Sequence, residues 1–225
     1  MSGPQPRFRA VVFDMDGVLT DSEPAFFAAV NDILARYGTS TDLDEYASFI
    51  GSATPAMWSS MIALKQLPAA LDDIFEAYEA PLMRRLREPR PALPGSRELL
   101  ARLRARGVPI ALCTASYRRW VDVILSAAGI DVVFDAYATA DVVRATKPDP
   151  EPYLLAAFQL GVAPEECIAV EDSVNGLTSA LAAKMHVIQL QATHTSAPPQ
   201  PAVACIIDSL DQFPLDLVAA PEPKA

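Results

Sequence analysis

The chain has 225 residues, 51% of them hydrophobic, and a formal net charge of −10 from 18 basic and 28 acidic residues. That apolar content suffices for a sizeable core and excludes global disorder, and the length allows one large domain or a domain with an insertion. The acidic balance argues against nucleic acid or an anionic membrane as partner, while leaving room for a small anionic ligand at a locally positive site.

The N-terminal segment MSGPQPRFRA lacks the apolar core of a signal peptide. No apolar run reaches the length of a membrane span, so the expected setting is soluble and cytoplasmic. Ala10-Val11-Val12-Phe13 predicts a short buried strand. It ends in Asp14-Met15-Asp16-Gly17. Alternation along a strand points Asp14 and Asp16 the same way, and two carboxylates that close repel unless a cation or a shared proton compensates. Gly17 permits a sharp turn. By itself this stretch reads equally well as a strand followed by an Asp-Gly turn with both aspartates solvated.

Ser22-Glu23-Pro24 predicts a helix start. Phe26, Val30, Ile33, Leu34 and Tyr37 then recur at helical spacing up to Gly38. Further helices are predicted over 42–49, 54–67 and 70–87, with no strand pattern among them, a block of the size of a small bundle. The Pro-rich segment 88–95 predicts a stiff linker. Beyond it strands alternate with helices: a helix over 96–106, strand 109–113, helix 117–128, strand 136–139, helix 150–160, strand 167–170, helix 173–184, and strands 186–190 and 205–207. Residues 193–202 read as a polar loop and 221–225 as a frayed tail. Cys113, Cys167 and Cys205 lie in or beside apolar runs and are expected as buried free thiols rather than a disulfide or a metal site.

The alternation predicts an α/β fold, a Rossmann-like parallel sheet with helices on both faces. The helical block interrupts it after its first strand. The expected division is a discontinuous core of residues 1–22 and 92–225 and an inserted α-helical cap of residues 23–91.

Four apolar runs end in polar groups: Asp14 and Asp16, Thr114 to Ser116, the loop holding Lys147, and Glu171 with Asp172. In a parallel sheet such ends share one edge, where these folds bind ligands. Several carboxylates together call for a hard cation, and Mg²⁺ with oxygen ligands fits best. Lys147 adds positive charge, and Thr114 is expected to open a helix whose N-terminal amides favour an anion. Acidic metal site, lysine and helix N-terminus converge on a phosphoryl group. Each element has a plainer reading on its own: Thr114 and Ser116 as ordinary helix caps, Lys147 in a solvated loop, Glu171 and Asp172 as partners of a helix dipole.

FDMDGVLTD at residues 13–21, ALCTAS at 111–116, KPDP at 147–150 and VEDSVNG at 170–176 together resemble, in order and over essentially the whole chain, the haloacid dehalogenase superfamily of phosphotransferases. The helical block resembles the small cap of its β-phosphoglucomutase and phosphoglycolate phosphatase branch. The resemblance implies that Asp14 attacks phosphorus and becomes an aspartyl phosphate. It implies that Asp16 protonates the leaving alcohol and then activates water. Asp14, the main-chain oxygen of Asp16, Asp172 and Glu171 would hold Mg²⁺. Thr114, Lys147 and the amides of Met15 and Ala115 would bind the transferring oxygens, and Ser173 and Asn175 would steady the metal loop. Ser116, Gly51 and Ser52 in the cap loop over 51–58, and Tyr117 with Arg118, are the expected substrate contacts.

Two relatives drop out. True dehalogenases usually lack the second aspartate, here Asp16, and the phosphonatase branch needs a cap lysine that IGSATPAMW at 50–58 does not offer. The expected activity is a Mg²⁺-dependent phosphatase of a small phosphorylated metabolite, a sugar phosphate or a phosphoglycolate-like compound. A sugar-phosphate mutase is the alternative, and a catalytically silent binding protein a further one. In the mutases a cap histidine stands twelve residues after the nucleophile, where this chain has Phe26. The expected assembly is a monomer or small homo-oligomer without nucleic-acid or membrane partners.

Overall fold

The computed structural model describes residues 7–193 and 196–219. The strands among them are β1 (Ala10–Phe13), β2 (Ile110–Cys113), β3 (Ala136–Ala138), β4 (Cys167–Glu171), β5 (His186–Leu190) and β6 (Cys205–Ile207). They form one parallel sheet in the order β3-β2-β1-β4-β5-β6. The helices are α1 (Glu23–Leu34), α2 (Leu43–Ala47), α3 (Thr54–Lys65), α4 (Leu71–Leu86), α5 (Ser96–Ala105), α6 (Arg118–Ala127), α7 (Glu151–Leu160) and α8 (Val174–Ala182). The parallel α/β architecture read from the alternation is thus the one observed. The tail expected at 221–225 lies outside the described residues.

Residues of the central strands β1, β2 and β4 are buried on both faces, as a parallel sheet covered by helices requires, but the two faces differ in bulk. Val11, Phe13, Ile110, Leu112, Ile168 and Val170 join Leu99 and Leu103 of α5 and Trp120 and Ile124 of α6 in one core cluster. Ala10, Val12, Ala111, Cys113 and Ala169 join Tyr153 and Ala157 of α7 and Leu177 and Ala180 of α8 in the other. Period-two alternation in sequence produces this division, and the small residues let α7 and α8 lie close to the sheet. Cys113 and Cys167 are buried free thiols as expected, whereas Cys205 is only half-buried, because β6 is the edge strand.

The helices α1 to α4 lie between β1 and α5 in the chain, and their apolar side chains continue the first of these clusters, with Trp58 packed edge-on against Tyr78 at 5.3 Å between ring centroids. They rest on α6 of the sheet layer through Trp120, which meets Phe26 at 5.9 Å and Tyr78 at 6.5 Å. Arg119 and the indole of Trp120 both bond to Glu79 of α4, at 2.7 and 3.1 Å.

The chain enters and leaves this insert side by side. Thr20 Oγ1 donates to the Pro91 carbonyl at 3.0 Å, the Leu93 amide donates to the Leu19 carbonyl at 2.8 Å, and Thr20 and Ala92 form an antiparallel bridge. The Pro-rich linker is therefore tied to the turn that follows β1.

Candidate active site

Register builds the centre of the site. Phe13 of β1 pairs with Leu112 of β2 and Val170 of β4. The next residue on each strand, Asp14, Cys113 and Glu171, therefore comes level at the carboxyl edge. Lys147, from the loop between β3 and α7, places its Nζ among all three. It donates to Asp14 Oδ1 at 2.7 Å, to the Cys113 carbonyl at 3.0 Å and to Glu171 Oε1. Asp14, Glu171 and Lys147 are all buried.

Glu171 is held on every side. Tyr153 donates to Oε1 at 2.8 Å, while Oε2 accepts from the amides of Asp172 and Ser173 at 3.0 and 3.2 Å and from Ser173 Oγ at 3.2 Å. Ser173 Oγ in turn accepts from the Gly176 amide and caps α8.

After β1 the chain makes a tight turn, the Leu19 and Thr20 amides donating to the Met15 carbonyl at 2.9 and 3.3 Å, with Gly17 at φ +80°. The turn carries Asp16 to the cleft, where Ser22 Oγ donates to its carboxylate. Ser22 occupies the cap position of α1 but makes no capping bond with its side chain.

Thr114 is buried at the end of β2, its Oγ1 accepting from the Ser116 amide at 3.1 Å. It does not open a helix, contrary to expectation: α6 begins at Arg118, with Tyr117 in the cap position, because residues 114–116 form this side-chain-closed turn first. Ala115 and Ser116 line the cleft, but Tyr117 and Arg118 do not. The Tyr117 ring packs on Trp120 at 4.9 Å, and the Arg118 guanidinium lies 3.5 Å from the centroid of Tyr137 and pairs with Asp122.

The other wall comes from the insert. Gly51 and Ser52 line the cleft, along with Phe26, Tyr46, Phe49 and Met57. Gly51, at φ +77°, approaches the core so closely that a Cβ there would stand 3.0 Å from Ser173 Oγ. The enclosed part of the cleft measures about 60 Å³, room for a group of a few heavy atoms. Sequence reading missed Glu23, which lines the cleft and accepts a hydrogen bond from Tyr46 at 3.2 Å. Its only signal was an acid in a first helical turn.

Burial, reinforced by Glu171 and partly opposed by Lys147, pushes the Asp14 carboxyl up to about 7. Burial and neighbouring carboxylates also raise Asp16 and Asp172. Burial alone would lower Lys147, but Asp14 and Glu171 override it and hold the ammonium charged. Asp14, Glu171 and Asp172 offer oxygens within 4.8 Å of one another, and Asp172 Oδ1 is buried without a hydrogen-bond partner. An orphaned buried oxygen in an all-oxygen set of acids is what a hard divalent cation satisfies, so these residues fit Mg²⁺.

The family model of haloacid dehalogenase-like hydrolases matches residues 8–184. Hexitol phosphatase B of Escherichia coli (strain K12) is 33% identical over 202 residues, covering 89% of this chain and 90% of its own. The chloroplastic protein SUPPRESSOR OF QUENCHING 1 of Arabidopsis thaliana is 32% identical over 196 residues, 84% of this chain but 18% of that longer protein. The crystal structure of CbbY from Rhodobacter sphaeroides in complex with phosphate is similar at a TM-score of 0.83 and 26% identity, covering 92% of this chain and 96% of that one.

Proposed function

This chain belongs to the haloacid dehalogenase-like hydrolases, and we propose that it is a Mg²⁺-dependent phosphatase of a small phosphorylated sugar or related metabolite. The observation that carries the reading is the buried contact of Asp14 with Lys147, in a cleft that Asp16, Ala115, Ser116 and Asp172 also line. Its similarity to hexitol phosphatase B supports the substrate class.

Asp14 is the nucleophile. Its carboxylate oxygen attacks phosphorus, the bond to the leaving alcohol breaks, and an aspartyl phosphate forms. Asp16 gives its proton to the departing oxygen and then takes one from the water that cleaves the intermediate. The burial and nearby carboxylates that raise Asp16 favour the protonated form this first step needs, and Ser22 fixes its orientation. Lys147 and Thr114, with the amides of Met15 and Ala115, bind the transferring oxygens. Glu171, to which Tyr153 donates, holds Lys147 in place. Mg²⁺ would be held by Asp14, Asp172 and Glu171, with the main-chain oxygen of Asp16, and would supply charge stabilisation at the phosphoryl group.

We further propose that residues 23–91 act as a cap on a core of residues 1–22 and 92–225, closing over the substrate to exclude bulk water. Phe26 favours hydrolysis over mutase chemistry. It packs against Trp120 and can neither carry a proton nor donate a hydrogen bond.

Phosphate release from p-nitrophenyl phosphate and from a panel of phosphorylated metabolites tests the reading. Activity is expected with Mg²⁺ and is lost in EDTA, and Asp14→Asn abolishes it in a folded protein. Phosphorus NMR with β-glucose 1-phosphate and a bisphosphate primer tests the alternative: growth of glucose 6-phosphate without free phosphate would overturn hydrolysis in favour of the mutase.

A further inference from the structure

The floor of the cleft is charged, whereas the wall contributed by the insert is aromatic, aliphatic or neutral with one exception, Glu23. Among the described residues lining the cleft, Lys147 is the one cation, and it is already engaged by Asp14 and Glu171. A substrate body bearing a carboxylate or a second phosphate would therefore face Glu23 with no cation to offset it. A body bearing hydroxyl groups would instead find an acceptor. Tyr46 fixes the Glu23 carboxylate through a single hydrogen bond of 3.2 Å, and a carboxylate has further lone pairs to offer. Position agrees with this role. Glu23, Tyr46 and Ile50 line both the phosphoryl cavity and an adjoining apolar groove of about 530 Å³. The pair thus stands where the body of a substrate leaves the phosphoryl site.

We propose that Glu23 is the specificity-determining residue of this cleft, accepting a hydrogen bond from a hydroxyl of a neutral polyhydroxylated monophosphate and disfavouring anionic substrate bodies, with Tyr46 as its positioning residue. The inference rests on the phosphatase reading and narrows it: carboxylate-bearing monophosphates of the phosphoglycolate kind become poor substrates. A site built to hydrogen-bond a substrate hydroxyl discriminates strongly against compounds that lack one.

The test compares kcat/KM at pH 8, where the Glu23 carboxyl is ionised, with Mg²⁺, for hexose, pentose and hexitol monophosphates, 2-phosphoglycolate and p-nitrophenyl phosphate. Wild type is expected to prefer the best polyhydroxylated substrate to 2-phosphoglycolate by at least about tenfold. Glu23→Leu lowers the ratio of that substrate to p-nitrophenyl phosphate by about ten- to a hundredfold. Glu23→Gln, which keeps an acceptor of the same length, restores part of the ratio. Tyr46→Phe, which removes only a hydroxyl, lowers it less and mainly through KM. The Gln and Phe variants keep the test valid if Glu23→Leu does not fold. An equal fall for both substrates in every folded variant overturns the inference. A wild type that cleaves p-nitrophenyl phosphate yet prefers 2-phosphoglycolate also overturns it while leaving the phosphatase reading intact, and a wild type that cleaves none of them overturns both.

Discussion

The α-carbon of Gly17 lies against the carboxylate of Asp172: a Cβ at position 17 would stand 2.0 Å from Oδ2, on a backbone with φ +80°. Turn and acid loop, from opposite ends of the chain, thus share a space that only glycine leaves open. Gly17→Ala is expected to destabilise the fold by about 2 kcal/mol or more, seen as a fall in Tm of roughly 5 °C. Displacing Asp172 by even an ångström should lower kcat about a hundredfold and weaken Mg²⁺ binding in a calorimetric titration. Wild-type Mg²⁺ affinity in this variant would contradict the contact.

Lys147→Met leaves Asp14 and Glu171 buried without their shared ammonium. Removing one partner of such a group costs about 3–5 kcal/mol, a drop in Tm of roughly 10 °C for a chain of this size. The deficit should shrink as pH is lowered, because Asp14, whose carboxyl burial already raises, takes up a proton and sheds its unpaired charge. A thermal scan series across pH checks both statements, and an unchanged Tm at neutral pH would show that the ammonium does not hold the strand ends together.

Glu23 gives a pH dependence of definite sign. Burial, with smaller contributions from Asp21 and Asp14, raises its carboxyl from 4.5 to about 7, against the hydrogen bond from Tyr46. The native state therefore keeps this proton more readily than the unfolded chain. Its contribution is most favourable below pH 4.5 and declines as pH rises towards 7. Glu23→Gln, neutral at every pH, should be more stable than wild type by about 2 kcal/mol at pH 8, with the advantage fading near pH 5. Parallel denaturant titrations at the two values measure it, and an equal difference at both would remove Glu23 as the cause.

The proposed closure of residues 23–91 is tested by hydrogen exchange. Gly51 faces Ser173 across the cleft, where an added Cβ would stand 3.0 Å from its Oγ, so a metal fluoride analogue of the phosphoryl group is expected to slow exchange around residues 49–54 and in the crossings near Thr20 and Ala92. Unchanged exchange in these segments would argue for a fixed wall.

The sheet was legible in the sequence because each strand is a short apolar run closed by polar residues, and the alternation of Val11 and Phe13 with Ala10 and Val12 already separates its two faces. The placement of Asp14, Lys147 and Asp172 at one edge follows from the same reading. What escaped it depends on side-chain direction. Ser22 has the sequence of a helix cap yet turns to Asp16. Tyr153 is one more apolar position on α7 until its hydroxyl is seen on Glu171. Tyr117 and Arg118 follow the β2 edge directly, but the turn closed by Thr114 rotates them onto Trp120 and Tyr137. Local sequence carries period and polarity, and no record of which partner a side chain meets across the fold.

The paired crossings at Thr20 and Ala92 join the insert to the sheet as a plug joins a socket. Because exit lies beside entry, the ends of the interrupted strand-and-helix scaffold meet whatever is housed between them. A helical block exchanged for residues 23–91 must match this end spacing and also cover Trp120 and Arg119, which Phe26, Tyr78 and Glu79 now meet. Chimeras cut at these two points would show whether selectivity travels with residues 23–91, as the proposal on Glu23 requires.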